Sequence, residues 1–329
     1  MPRWCLATWW VRASSAWTAF ISVSQATDPM RSSLLLLAAC AGLLSAAALV
    51  QDGGARALSL APAGGDVGII VNPSGGNVAV LSNAAGTVVV DTNLENFRDA
   101  YAKAFDEFAG DRPRLVINTH WHGDHTGNNV LLGSKGVPVV AHTRARARLA
   151  GDPGIDGRKG QDIPIEALPT VTFDDDLELF VGSERIVVKH YGLGHTDGDG
   201  IVWFHGSKVV HMGDQFFNGM FPFVDLGSGG DIRGYAATIQ AVVAELEALE
   251  DASWRIIPGH GEVCGLAELK AFEAMLAGCI SKVEQAQARG MSVEDMLAGK
   301  VLADYESWSW RFITSKRFIE TLATNLAQD

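Results

Sequence analysis

Cysteine is scarce in this chain: there are four in 329 residues, and no two of them are separated by only two positions. That spacing excludes a thiolate zinc ribbon. No GxSxG segment occurs, so a serine hydrolase of the nucleophile-elbow kind would lack its central residue. Basic residues are outnumbered, 26 against 38 acidic, for a net charge of -12. Such a surface offers no footprint for a phosphate backbone and argues against nucleic acid as a partner. The Gly-rich run at 225–231 does not follow the phosphate-loop pattern, and no repeat or low-complexity tract follows residue 50. Against these absences, 47% hydrophobic and 19% charged residues make a globular composition, long enough for one large domain or two small ones.

Residues 34–50, "LLLLAACAGLLSAAALV", form an uncharged run a little short for a comfortable membrane span, with Arg31 before it and small residues near its end. This layout predicts an N-terminal extension and signal peptide over 1–50, with Met30 as an alternative start and the folded domain over 51–329. A lipoprotein box ending at Cys40 and an uncleaved anchor are alternatives. Each version places the folded part outside the cytoplasm, periplasmic or secreted, and once the leader is removed no stable membrane insertion is expected. Beyond the leader only Cys264 and Cys279 remain, and an exported protein could pair them or leave both buried and free.

From about Asp66 the chain reads as one continuous domain. Runs at 66–73, 77–83 and 86–92 are β-branched segments parted by Gly and Asn turns. A helix is expected near 94–108, strands at 113–119 and 137–142, and a long surface excursion at 151–169. Two hairpins follow, turning at "GSE" and "HGSK", then helices at about 232–249, 265–289 and 305–325, with a last strand in "WRIIPGH".

Three histidines and an aspartate stand within six residues in "HWHGDH", in a chain with nine histidines altogether. His120 and His122 are two apart in an extended segment at a strand's end, so both side chains fall on one side. Gly123 then permits a sharp turn that brings Asp124 and His125 into a helix. Neutral imidazole and carboxylate are preferred ligands of zinc and its neighbours. A His-rich surface loop would not require this spacing. His195 in "GLGHTDGD", Asp214 in "HMGDQFF" and His260 in "IIPGHGE" each lie in a Gly-containing loop just past an apolar run, where one sheet edge can gather them.

The ordered set HxHxDH, GHT, GD and PGHG over about 66–262 resembles the metallo-beta-lactamase superfamily. The resemblance implies an α/β fold, a four-layer αββα sandwich with a dinuclear metal site. It implies that His120, His122 and His195 hold one Zn2+, that Asp124, His125 and His260 hold the second, and that Asp214 bridges them. Two such ions about 3.5–4 Å apart share a water and present it as hydroxide, with Asp124 as the catalytic residue that orients it. The expected partner is a small-molecule substrate, an ester, thioester, lactone or lactam. The aspartate at 214 is similar to that of glyoxalase II, whereas zinc beta-lactamases of the best-known class have cysteine there. The segment 307–329, however, lacks the glutathione-gripping pattern of glyoxalase II. A beta-lactamase proper stays open, as does a mononuclear iron redox enzyme or metal-carrying binding protein using His120, His122 and His195.

The other histidines, His142, His190, His205 and His211, read as packing or surface residues. Thr196 and Asp197 could orient ligands or simply make a turn. The run 216–223 could line an apolar pocket or pack on the core, Trp121 could be a pocket wall or a core plug, and Asp231 reads as a helix N-cap.

Overall fold

Successive strand residues that bury on opposite sides explain the architecture. Val78 and Val80 enter one apolar cluster while Ala79 and Leu81 enter another, and Val116 and Ile117, then Val139 and Val140, divide in the same way. A strand apolar on both faces must be covered on both faces. In the computed structural model, which describes residues 58–72, 74–110, 113–151 and 163–327, that covering is a stack of two sheets and two helical layers.

The first sheet runs in sequence order through β1 (Ser59–Gly64), β2 (Val67–Val71), β3 (Val78–Asn83), β4 (Gly86–Val90), β5 (Leu115–Ile117), β6 (Val139–His142) and β7 (Val171–Phe173). Pairing is antiparallel up to β4 and parallel from β4 to β7. The second sheet has the order β12, β11, β10, β9, β8, from β8 (Asp176–Val181), β9 (Glu184–Lys189), β10 (Ile201–Phe204), β11 (Val209–Phe217) and β12 (Arg255–His260). Leu81, Val88, Ile117 and Val140 meet Ile186, Val188, Val202 and Phe204 between the sheets. On the first sheet's outer face Val80, Val89 and Val116 pack with Tyr101 and Phe105 of the helical stretch containing α1 (Arg98–Ala104). On the second sheet's outer face Trp203, Val210 and Met212 pack against α5 (Ile232–Ala248), α6 (Leu266–Ala288) and α8 (Ser315–Leu326). These three apolar interlayers make the expected αββα sandwich.

The sequence reading differs from the structure at several places, among them β7, which was not anticipated between the excursion and the first hairpin. The first strand begins at Ser59, ahead of Asp66; "SLAPAG" has weak strand character, and Pro62 is tolerated because β1 is an edge. The stretch 305–325 is not one helix. A 3-10 turn, Ala303–Trp308, ends before Ser309, and α8 restarts behind Thr314, whose hydroxyl caps it by accepting from Arg317 N. Asp124 and His125 do enter a helix, the short α2 (Gly123–Thr126), with Gly123 as its first residue and the extended backbone of His122 making the corner. Asp214 lies within β11 rather than in a loop after it. A bulge with Gly213 at φ 52° breaks the register against β12 and re-aims the following side chain.

The remaining short α-helices among the described residues are α3 (Asn129–Gly133), α4 (Thr143–Leu149) and α7 (Val293–Ala298). Asp231 caps α5 as expected, accepting from Gly234 N at 2.7 Å. Cys264 and Cys279 are both buried and free, and burial pushes each thiol up to about 12. The leader at 1–50, with Met30 and Cys40, and most of the excursion at 151–169 lie outside the described residues. Among the described residues no helix is long and apolar enough to cross a membrane.

Candidate metal centre

The centre forms where parallel strands end. β4 delivers Asp91, β5 delivers His120 and His122, the bulged β11 delivers Asp214 and the end of β12 delivers His260, all at one edge of the sandwich. His195 comes from the Gly-rich loop between β9 and β10, and Asp124 and His125 come from α2. Two groups result. One ligand atom each from His120, His122, His195 and Asp214 lie within 4.8 Å of one another, and the same holds for Asp124, His125 and His260. The structure thus brings together all seven residues singled out in the sequence. A surface loop is excluded, since His125 and His195 are fully buried and His120 is nearly so.

Each imidazole in the interior uses one nitrogen for a protein partner and turns the other inward. His195 Nδ1 donates to the Phe223 carbonyl at 2.6 Å, and its Nε2 stands 3.5 Å from an Asp214 carboxylate oxygen. His125 Nδ1 donates to Asp91 at 2.7 Å, leaving Nε2 3.0 Å from the other Asp214 oxygen. His122 donates from Nε2 to Asp225 at 2.9 Å, so its Nδ1 faces the centre, 2.9 Å from His195 Nε2. Such outer partners fix the tautomer and aim the free lone pair. His260 Nε2 lies 3.2 Å from Asp124 and 3.4 Å from Asp214.

Of the inward atoms, His120 Nε2 is buried with no hydrogen-bonding partner, and His125 Nε2 and Asp214 Oδ1, though 3.0 Å apart, are not aligned as a hydrogen bond. An unsatisfied polar atom in the interior is costly unless something else completes it, and imidazole nitrogens around a carboxylate are the donor set of divalent cations. The residues therefore fit a metal pair. The charges of the cluster act strongly on one another. Burial, helped by the neighbouring His125 and His195, holds His120 well below the ordinary imidazole range, and burial brings His195 down to about 4. For His260 burial also acts downward, but the Asp214 and Asp124 carboxylates outweigh it and raise it to about 9. Asp214 is opposed by burial yet held well below the carboxylate range by His260 and His125.

Residues beyond the seven matter. Asp91 was not singled out in the sequence, although "VVVDT" ends a strand just as the other motifs do. Fully buried, it accepts from His125 Nδ1, Thr119 N and Thr119 Oγ1. Asp225 was missed as well; it holds His122 and accepts from Ser228 at 2.6 Å. Asp199, buried between Thr196 and Gln215, is pushed by that burial up to about 7 and ties the His195 loop to β11. Asp197 pairs with Arg148 on α4 through two contacts of 2.7 and 2.8 Å. The four remaining histidines stand outside both groups: His142 and His190 lie tilted against each other with ring centroids 4.2 Å apart, His205 lies against Trp203 and Trp254, and His211 accepts from Gly213 N inside the bulge. The run 216–223 divides between its two readings. Phe216 and Phe221 are core, Phe217 belongs to the core and also borders the cleft, and Met220 and Phe223 line the cleft over the centre.

The sequence profile of the metallo-beta-lactamase superfamily matches residues 71–260, more than half of the chain. The protein belongs to this superfamily. It is similar to a hydroxyacylglutathione hydrolase of Methylococcus capsulatus, 31% identical over 135 residues, 41% of this chain and 43% of that one. It is also similar to a hydroxyacylglutathione hydrolase of Anaeromyxobacter dehalogenans, 28% identical over 200 residues, 58% of this chain and 67% of the relative. The chain thus spans less than half the length of the first of these relatives. Among solved structures, a metallo-beta-lactamase from Pontibacter korlensis superposes with a TM-score of 0.55 at 18% identity, over 67% of this chain and 99% of that one. The DIM-1 metallo-beta-lactamase gives 0.54 at 18% identity, over 68% and 98%. At that identity the likeness speaks for the fold alone.

Proposed function

We propose that the protein is a metal-dependent hydrolase that cleaves a small ester, thioester, lactone or lactam at a centre holding two Zn2+. The observation that carries this reading is the convergence of two ligand groups around one buried carboxylate, with imidazole nitrogens turned toward it. His120, His122 and His195 would hold one cation, Asp124, His125 and His260 the other, with Asp214 between them. When bound, such a pair supplies an acidified water and a Lewis acid for a carbonyl oxygen.

The chain's own residues account for the rest. Asp124 is 26% exposed and lines the cleft, the position from which a carboxylate can orient the attacking water and take its proton. The water oxygen adds to the carbonyl carbon, the bond to the leaving oxygen, sulfur or nitrogen breaks, and Asp124 is placed to return the proton to that atom. Phe217, Met220 and Phe223 keep bulk water from one side. The relatives named hydroxyacylglutathione hydrolases support an acyl thioester among the candidates. A mononuclear iron redox enzyme would need only the first group, so the assembled second group weighs against it.

Metal analysis tests the reading directly. Protein stripped of metal and reloaded should take up about two zinc per chain, the stoichiometry of two-metal hydrolases. One iron and no zinc by elemental analysis would overturn it.

We further propose that the protein works outside the cytoplasm, supported by the uncharged run at 34–50. Sequencing the N-terminus of protein from an envelope fraction should give a start within 49–55. An intact leader on protein from the cytoplasm would refute this, and retention in the membrane through an acyl chain on Cys40 would favour the lipoprotein variant.

A further inference from the structure

The cleft over the centre, about 1270 Å³, has a wall that the ligand set does not account for. Phe223 lies 5.8 Å from the His122 ring and 5.7 Å from His195; Phe312 meets Phe223 at 5.4 Å; Trp310 meets Phe312 at 5.7 Å and His260 at 6.2 Å. This aromatic ribbon therefore touches imidazoles of both ligand groups and runs beside the reacting position, not beyond it.

The ribbon is held in place by the protein itself. Trp310 Nε1 donates to the Phe221 carbonyl at 2.9 Å, and Phe221 N donates to the Trp308 carbonyl at 2.8 Å. The Arg317 guanidinium covers the Phe312 ring at 4.2 Å and the Phe223 ring at 5.2 Å, and donates to the Phe312 carbonyl. A wall already rigid loses little freedom when a ligand arrives. The cleft is also lined by the aliphatic side chains of Ile69 and Val71 on β2, and Val71 is 49% exposed. Within the ribbon, between Trp310 and Phe312, stands exposed Arg311, which forms no ion pair with any described residue.

We propose that the substrate carries a planar, conjugated apolar group next to its scissile carbonyl and, beyond it, an anionic group that pairs with Arg311. This inference rests on the hydrolase reading above. A flat ring gains offset or edge contacts with Phe223, Phe312 and Trp310 that an alkyl chain cannot make. A peptide-like acyl group would set its amides against rings that offer no partner. The anion answers a cation that no carboxylate among the described residues pairs with, and the guanidinium has the fork geometry suited to a carboxylate.

Calorimetric binding to the zinc-loaded protein tests the proposal with 2-naphthoate, its neutral analogue 2-naphthamide, and hexanoate. Naphthoate should bind at least ten-fold more tightly than either of the others. The exposed side chains Arg311 and Phe312 allow substitutions that leave the fold intact. Arg311→Gln should bring the naphthoate-to-naphthamide ratio close to one, and Phe312→Ala should reduce the naphthoate-to-hexanoate ratio at least five-fold. A naphthoate preference that survives Arg311→Gln would mean that the centre alone reads the anion, and the proposal falls. Equal binding of naphthoate and hexanoate overturns it as well. Hydrolysis of benzoyl and acetyl thioesters of one thiol separates the two readings. Binding ratios as expected with neither thioester cleaved would remove the hydrolase reading and keep the ligand chemistry; cleavage with the ratios absent would do the reverse.

Discussion

Asp124→Asn is expected to lower hydrolysis of a responsive ester or lactam by about 10² to 10⁴-fold, the range of a positioned acid-base group, while the protein stays folded. The change keeps volume and a hydrogen-bonding oxygen toward His260, which lies 3.2 Å from the carboxylate. It removes the charge proposed both to complete the second ligand group and to accept a proton. Because Asp124 sits on the four-residue α2 at the cleft, not in an apolar interlayer, the core has little to lose. The assay requires saturating zinc, since metal that binds only the native state also stabilises it, and weakened affinity would otherwise be read as lost chemistry. The matched change is His205→Asn. His205 follows β10, stacks on Trp203 and stands outside both ligand groups. Activity per folded molecule should stay near that of the parent. Equal activity in the two variants would mean that Asp124 does not act in the reaction as argued.

What could be read in the sequence was the part that is local. His120, His122, Asp124 and His125 fall within six residues, and a strand followed by a short helix is enough to place them together. His195, Asp214 and His260 were legible because each ends an apolar run in a fixed order with the first motif, although the bulge that aims Asp214 leaves no mark other than Gly213. Asp91 satisfies the same strand-end rule, but a single aspartate after valines is common, and only the fold shows its carboxylate beneath both Thr119 and His125. Asp225 reaches His122 across 103 positions, a separation that no spacing rule covers. The aromatic ribbon was hidden differently. Apolar residues at Trp308, Phe312 and Ile319 keep a helical rhythm, so 305–325 reads as one amphipathic helix. The structure breaks it because Ser309 and Ser315 hydroxyls bond each other at 2.8 Å and Thr314 starts a new cap, and the residues between turn toward the cleft.

Gly76→Ala should disable the second ligand group without touching any of the seven residues. A Cβ at this position would lie far inside van der Waals contact with His125 Cε1 and Nε2, the nitrogen turned toward Asp214. The ring cannot retreat: it is fully buried, and Asp91, itself fixed by two contacts from Thr119, grips its Nδ1 at 2.7 Å. Nor can the loop withdraw easily. The Gly76 carbonyl accepts from Asn93 Nδ2 at 2.6 Å, Gly76 N donates to the Asp124 carbonyl, and Asn77 N donates to the Gly259 carbonyl at 2.8 Å. One of these ties must yield, at a cost of about 1–3 kcal/mol for an overpacked interior site. Displacing His125 also misdirects a ligand, which typically weakens metal affinity by about 10 to 100-fold. Titration of stripped protein against a chromophoric chelator should therefore show one zinc bound as in the parent and the other weakened to that degree, with activity falling in proportion to the second site's occupancy. Gly123→Ala is the comparison. It lies between His122 and Asp124, yet a Cβ there meets nothing within 4 Å and α2 gains a better helix former. That variant should bind both ions with parent affinity. If Gly76→Ala does so too, His125 is not confined as the distances require, and its assignment to the second cation loses its structural basis.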